Sequence, residues 1–421
     1  MESSQAPAPI EFWLGGRSRD ATIVARAPAI EAEGWDGQMF MDSQSLSADP
    51  YVLMGAWAML TERLKLSTGV TNPLTRHPAV TAASAATLQA ISGGRAVLGI
   101  GRGDSALAFL GHAPSRLAAF ERALRDLQTL LSGGEVAFGG SLSPIDAPSL
   151  DTLSLGNRPT ATRLRWLPEG LAKVPLDVAA TGPKVIEMAA PIAERLTLSV
   201  GAIPERVDWA LGLARAARAR AGLGEGGVSY GAQIIVVCHP DIEAVRAIAT
   251  SFVAPLARFQ VMQGIAKGPQ SAGDEASFAA VRKGYDMTEH GEWRAESKLV
   301  DAEVTPDFVE RFAIVGPPDH CIERLLALVA LGIRRFVVLG VGMHPEVSPE
   351  GPTLFARKVM PAVRAALAGD DGAHRWGYGA RASFPEAGMR PSGRVTPPYS
   401  ARWPPSPVSR SLAHRRREGK P

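Results

Sequence analysis

The chain has 421 residues, 46% hydrophobic and 21% charged, with 45 Lys+Arg against 42 Asp+Glu, 43 Gly, 33 Pro and two Cys. This composition supports a large buried core and excludes whole-chain disorder, and no apolar run approaches the roughly 18 residues of a membrane helix. Residues 370–421 carry ten Lys+Arg and four Asp+Glu, net +6, which leaves −3 of the formal total of +3 for residues 1–369. The positive excess therefore belongs to the tail and gives the main body no nucleic-acid footprint.

Met1–Pro9 is short and polar, with neither a basic start nor an apolar core, so no signal peptide is expected. Cys238 and Cys321 sit in no Cys-x-x-Cys or Cys/His cluster, and the default location is a reducing cytoplasm. From residue 10 onward, short apolar runs alternate with helical patterns. Eight strands are predicted: Ile10–Leu14, Gln38–Met41, Leu64–Val70, Ala96–Ile100, Leu176–Ala179, Leu196–Val200, Ala232–Val237 and Arg335–Leu339. Helical segments follow, among them Ala21–Glu33 closed by Gly34 and His77–Ile91 closed by Gly93-Gly94. Near-continuous apolar strands are those buried on both faces of a parallel sheet. Eight such units in about 360 residues predict an α/β fold, a (β/α)8 TIM barrel over residues 10–369.

Two stretches break the rhythm. Residues 139–171, with Pro144, Pro148, Pro159 and Pro168, and residues 261–304 read as insertions at the barrel mouth, where long connections are usually functional. The tail from about residue 370, with Pro397-Pro398, Pro404-Pro405 and Arg415-Arg416-Arg417, has no apolar period and is expected to be disordered.

Chemistry in such a barrel sits at the C-terminal ends of the strands. Those ends read Met41-Asp42-Ser43, Gly69-Val70-Thr71-Asn72-Pro73, Gly99-Ile100-Gly101-Arg102-Gly103-Asp104-Ser105 and Ala180-Thr181-Gly182-Pro183-Lys184. The glycine run fails the Gly-x-Gly-x-x-Gly dinucleotide spacing, because its third position falls on Asp104. It is either a tight turn or a place where a planar molecule or phosphate approaches Gly101 and Gly103, with Asp104 and Ser105 capping the next helix. Thr181-Gly182-Pro183 opens a helix whose free N–H groups suit an anion. Glu11, inside an apolar strand, is either a buried acid of raised pKa or a structural carboxylate paired with an Arg. His77 either caps a helix or meets a substrate or cofactor. No His-Glu-x-x-His, nucleophile elbow, P-loop or metal-ligand spacing appears.

The stretch Gly69-Val70-Thr71-Asn72-Pro73-Leu74-Thr75-Arg76-His77-Pro78 resembles the bacterial luciferase-like superfamily. So do Ala86-Thr87-Leu88, Ser92-Gly93-Gly94-Arg95 and Leu98-Gly99-Ile100-Gly101-Arg102-Gly103-Asp104-Ser105. Within it the chain is most similar to the methylenetetrahydromethanopterin reductase-like branch that uses the deazaflavin coenzyme F-420. The resemblance implies a barrel, usually a homodimer, that binds F-420 or FMN over its mouth and acts on a small-molecule substrate. It further implies that Thr71-Asn72 lie at a strand-three bulge behind the ring, that Asp42, Gly103, Asp104 and Ser105 contact the cofactor, that Thr181, Gly182 and Pro183 meet its phosphate, and that Glu11 lies near substrate. One departure is Ala193-Glu194-Arg195 where the family usually has Ala-Asp-Gly, a change that alters binding if that Gly is needed for backbone geometry or cofactor clearance. With F-420 the reaction is hydride transfer, with Glu11 or His77 as the nearby acid. With FMN it is monooxygenation in a water-excluding pocket. A reading from another class is a catalytically silent ligand-binding barrel, and a phosphate-substrate hydrolase or aldolase has only Lys184 to recommend it.

Overall fold

Each predicted apolar run is hydrogen-bonded along both edges, which is how a strand with no polar face satisfies its backbone. The computed structural model describes residues 9–16, 21–138, 148–224, 226–290, 304–340 and 354–368. Its strands are β1 (Glu11–Gly16), β2 (Gly37–Phe40), β3 (Lys65–Thr68), β4 (Ala96–Ile100), β5 (Val136–Ala137), β6 (Ala161–Thr162), β7 (Leu176–Ala180), β8 (Arg195–Leu198), β9 (Ser229–Cys238), β10 (Ile314–Gly316) and β11 (Arg335–Leu339). Eight of them, β1-β2-β3-β4-β7-β8-β9-β11, pair in parallel and close on themselves through β11 and β1. The protein is a (β/α)8 barrel, as predicted. β5 and β6 form a short antiparallel hairpin apart from it.

The helices are α1 (Ala27–Ala32), α2 (Pro50–Leu60), α3 (Pro78–Ile91), α4 (Ser105–Ala108), α5 (Leu117–Leu131), α6 (Pro183–Ala189), α7 (Pro204–Arg220), α8 (Ile242–Val261), α9 (Ala272–Gly284), α10 (Pro306–Phe312), α11 (Pro318–Leu331) and α12 (Met360–Ala368). Several start on built-in signals. Asp49 caps α2 by accepting from Tyr51 and Val52, and Pro50, Pro78, Pro183, Pro204, Pro306 and Pro318 stand in first turns. The predicted helix at Ala21–Glu33 opens as a 3-10 segment, Ala21–Arg26, before Pro28 starts α1.

Strand alternation separates two cores. Phe12, Leu14, Phe40, Leu66, Leu98, Val178, Leu196, Ile234 and Phe336 face the helices, and Trp13, Met39, Val97 and Val337 form a separate cluster inside the barrel. Above them, Ile235 and Val237 of β9 join Phe252 and Leu256 of α8, Phe278 of α9 and Phe308 and Phe312 of α10. The connection from β9 to β11 thus folds over the C-terminal mouth. Its cover begins with α8 at Ile242, earlier than the predicted insertion, because β9 continues upward and carries its inward side chains with it; β10 pairs with that extension. Parts of both predicted insertions (139–147 and 291–303), residues 1–8 and the basic tail lie outside the described residues.

Candidate active site

The two ends of the barrel are chemically unlike. Glu11, Lys65, Arg195 and Arg335 each begin a strand, so they meet at the N-terminal end. Glu11 Oε1 lies 2.5 Å from Lys65 Nζ, and Glu11 Oε2 accepts from Arg195 Nη2 at 2.6 Å and from Trp13 Nε1 at 2.8 Å. Arg335, wholly buried, donates to Thr197 Oγ1 at 2.9 Å and pairs with Asp177 at 3.1 Å. Burial acts to raise the Glu11 pKa, but the charge of Arg195 and the hydrogen bonds from Arg195 and Lys65 outweigh it and hold the carboxyl at about 2. The expectation of a buried acid with a raised pKa is corrected: Glu11 is a paired, ionised carboxylate at the end of the barrel away from the mouth. Glu194 and Arg195 belong to this same end, where Glu194 accepts from Lys173 at 2.6 Å and from the Leu176 N–H at 3.0 Å. Their departure from the family pattern therefore does not face the mouth.

At the C-terminal end the chain opens up. β3 ends in a cis peptide bond between Gly69 and Val70, both half-buried, one step before the predicted bulge at Thr71-Asn72. Thr71 stitches this segment to β4, donating its N–H to Gly99 O at 3.0 Å and accepting from the Gly101 N–H at 2.9 Å. Asn72 Oδ1 accepts from the N–H groups of Leu74 and Thr75, both at 3.0 Å, and so fixes the turn into Arg76-His77-Pro78. Its Nδ2, also buried, has no partner among the described residues. A side chain at Gly101 would meet Val70 at 3.1 Å, and Gly103, at φ +85°, lies against Leu107 and Asn72. Gly103 is glycine because its φ is positive and Leu107 stands where a Cβ would go.

The polar residues around this surface are firmly oriented. Arg76 grips Asp42 and Asp49, each at 2.6 Å, over the Tyr51 ring. His77 caps α3, its Nδ1 accepting from the Ala79 N–H at 3.1 Å. Ser105 Oγ lies 3.3 Å from Ser43 Oγ. Asp104 occupies the cap position of α4 but makes no side-chain cap bond; it pairs instead with Arg258, a buried residue of α8. That correction follows from α8 lying across the mouth, which brings a buried cation to the carboxylate. Thr181 and Gly182 end β7 at the same mouth, half-buried, with Pro183 opening α6. The structure thus brings Asp42, Thr71, Asn72, His77, Gly101, Gly103, Asp104, Ser105, Thr181, Gly182 and Pro183 to one end and separates Glu11 from them.

Beside the mouth, a cavity of about 370 Å³ runs between Asp104, His112 and Pro114 on one side and Arg258, Met262, Tyr285 and Met287 on the other. Tyr285 lines this cavity under Arg258, whereas Trp166 is 49% exposed. Sequence reasoning passed over Arg76 and Arg258. Arg76 stood within the quoted block, and Arg258 was visible as one cation in the apolar run from Phe252 to Phe259.

The model of the family described as luciferase-like monooxygenase matches residues 8–335. The chain belongs to this family. It is 25% identical over 346 residues to 5,10-methylenetetrahydromethanopterin reductase of Archaeoglobus fulgidus, covering 79% of this chain and 93% of that one. It is 27% identical over 323 residues to F-420-dependent glucose-6-phosphate dehydrogenase of Microbacterium testaceum, covering 74% and 82%. The fold matches that of the coenzyme F-420-dependent tetrahydromethanopterin reductase of Methanopyrus kandleri at a TM-score of 0.61 and 20% identity, over 85% of this chain and 100% of that one. The luciferase-like chain is accordingly a barrel oxidoreductase. Among its described residues no helix is long and apolar enough to cross a membrane, and no cluster of His, Cys, Asp and Glu suits a metal ion.

Proposed function

We propose that this oxidoreductase moves a hydride between coenzyme F-420 and a small organic substrate. The reading is carried by the backbone surface at Gly69-Val70, Gly101 and Gly103, beside the buried, unpartnered Asn72 Nδ2. A flat polar heterocycle fits such a place, because it needs close backbone approach and supplies the missing acceptor. The deazaflavin would supply the hydride chemistry. Val70, Asn72, Gly101, Gly103 and Ser105 would hold its ring, and Thr181, Gly182 and Pro183 its phosphate. Asp42 and Asp104 act through the arginines they orient. His77 accepts at Nδ1, so in its neutral form the proton sits on Nε2, where the ring is available as a donor. The cofactor class follows the F-420-dependent relatives. A second reading, FMN and oxygen chemistry, is favoured by the cover that α8 places over the mouth, since that chemistry needs water excluded. Titrating the purified protein separately with F-420 and with FMN decides between them: tight binding of F-420 alone is expected, tight FMN binding alone reverses the assignment, and binding of neither sinks both.

The partner we infer is a second copy of this chain. Helices α2 and α3 carry no charged residue, yet Val52 and Met59 are 72% and 75% exposed, and Val80 and Ile91 are 53% and 49% exposed. A surface helix pair without charge that exposes several large apolar side chains is normally covered. A face without charge suits another such face, which an isologous pair supplies. Light scattering is expected to give a dimer for the wild type and a monomer for Met59→Glu; a monomeric wild type at all concentrations removes the inference.

A further inference from the structure

The cavity beside the mouth has a neutral floor, apolar walls and a rim whose polar groups are unspent. Asp104 and Arg258 pair with each other at the floor, where Arg258 lies over the Tyr285 ring and its Nη1 is 3.0 Å from Met287 Sδ. The walls are Ala108 and Pro114, from the connection between β4 and α5, facing Val261, Met262, Val281 and Met287, from α8, α9 and the residues that follow each. The apolar character continues outward, where Phe109, Leu110, Met262 and Ile265 are exposed. At the rim His112 on one wall and Arg282 on the other are exposed, and neither makes a hydrogen bond or ion pair among the described residues.

These features select a ligand by its chemistry. Among the described residues of the lining Asp104 is the one carboxylate, and its charge is spent on Arg258, so the cavity has nothing free to hold a cation. Arg282 brings a positive charge without a counter-charge, and a guanidinium at the edge of an apolar surface suits a carboxylate carried on an apolar body. The volume of about 370 Å³ lies at the small end of ligand cavities, which begin at roughly 300 Å³. Methionines in the wall make a deformable lining that accepts chains and rings alike. On the inner side Asp104 follows Gly103, which packs against Asn72, so the floor of the cavity adjoins the backbone cradle.

We propose that this cavity holds the non-reacting part of the substrate, and that the substrate is an amphipathic carboxylate. Its anion lies at Arg282 and His112, and its apolar body lies over Met262 and Met287. The assignment as substrate rests on the hydride-transfer reading above, whereas binding of this class of molecule does not. The far end of the molecule points to the Asp104–Arg258 floor and the cradle behind it, which leaves the carboxylate remote from the cofactor.

The test uses octanoate and octylammonium, which share a chain and differ in the sign of the charge, on the full chain with and without cofactor. In protein ¹³C-labelled at the methionine methyls, the signals absent from Met262→Leu and Met287→Leu identify the two wall residues. Octanoate is expected to shift both, and octylammonium to bind roughly tenfold more weakly, because Arg282 attracts one and repels the other. Arg282→Glu, an exposed change, is expected to reverse that preference, and Arg282→Lys to keep it. Unshifted methionine signals, equal affinity for the two probes, or unchanged octanoate affinity in Arg282→Glu each overturn the proposal. Shifts of both signals by cofactor alone also overturn it, by giving the cavity to the cofactor, and so does loss of octanoate binding once cofactor is loaded. A wild type that binds octanoate but neither F-420 nor FMN removes the hydride-transfer reading and leaves the carboxylate site standing.

Discussion

The two ends of this barrel carry similar numbers of polar residues and use them in opposite ways. At the N-terminal end Glu11, Lys65, Asp177, Arg195 and Arg335 pair with one another across five strands, the buried Nε of Arg195 and of Arg335 lacking a hydrogen bond, and Glu194 binds a Lys, a Gln and a backbone N–H nearby. At the C-terminal end the charges are also paired, Asp42 with Arg76 and Asp104 with Arg258, but an amide donor of Asn72 is left over, beside backbone with no side chain to cover it. At the floor every charge has an opposite charge beside it. At the mouth an amide donor stands beside bare backbone, and this difference separates the charges that hold the fold from the groups that would recognise a cofactor or substrate.

The contrast breaks most visibly at the floor. Arg335→Leu leaves Asp177, 1% exposed, with only Arg195 at 3.6 Å and the Thr197 hydroxyl, and stranding a buried charge costs roughly 3–5 kcal/mol. Urea denaturation is expected to show that loss, with cofactor affinity unchanged below the transition. Glu11 makes the same point through pH. Its folded-state pKa, about 2, lies below the unfolded value of 4.5, so its contribution is complete above pH 4.5 and lost as pH falls toward 2. The difference corresponds to roughly 3 kcal/mol. Stability curves of wild type and Glu11→Gln should therefore converge through that window. At neutral pH the variant is expected to keep cofactor binding and turnover, and a loss of turnover would return Glu11 to the reaction. At the mouth the signs reverse. Gly101→Val meets one side chain, Val70, and otherwise projects into the cradle. We expect cofactor affinity to fall about tenfold or more, from overpacking of roughly 1–3 kcal/mol, with a smaller change in the urea midpoint.

Much of the fold could be read before it was seen, because apolar strands and glycine-closed helices are local signals: all eight barrel strands fall where the runs were. The mouth was legible through its glycines and the Thr-Asn-Pro and Arg-His-Pro block. What the sequence withheld was depth and partnership. Glu11 looked like an acid because its neighbours Ile10 and Phe12 are apolar, but its fate is decided by Lys65 and Arg195, 54 and 184 residues away. Asp104 looked like a helix cap because it precedes Ser105, whereas its partner Arg258 arrives on α8, 154 residues later.

The smallest expected effect sharpens the comparison most, because His77 combines the habits of both ends. Its Nδ1 is spent within the protein as the cap of α3, and its Nε2 is the half that a ligand would use. His77→Ala removes both and costs on the order of 1 kcal/mol of stability, as cap losses do, so any change in binding there is mixed with a loosened helix. Asn is among the best caps and restores an acceptor at the right distance from the backbone without the ring. His77→Asn is therefore expected to melt with the wild type while binding cofactor roughly 3- to 10-fold more weakly, the size of one lost neutral hydrogen bond. Equal binding by His77→Asn and wild type, measured by cofactor titration, would assign the histidine wholly to the helix and leave Asn72 as the donor at this end.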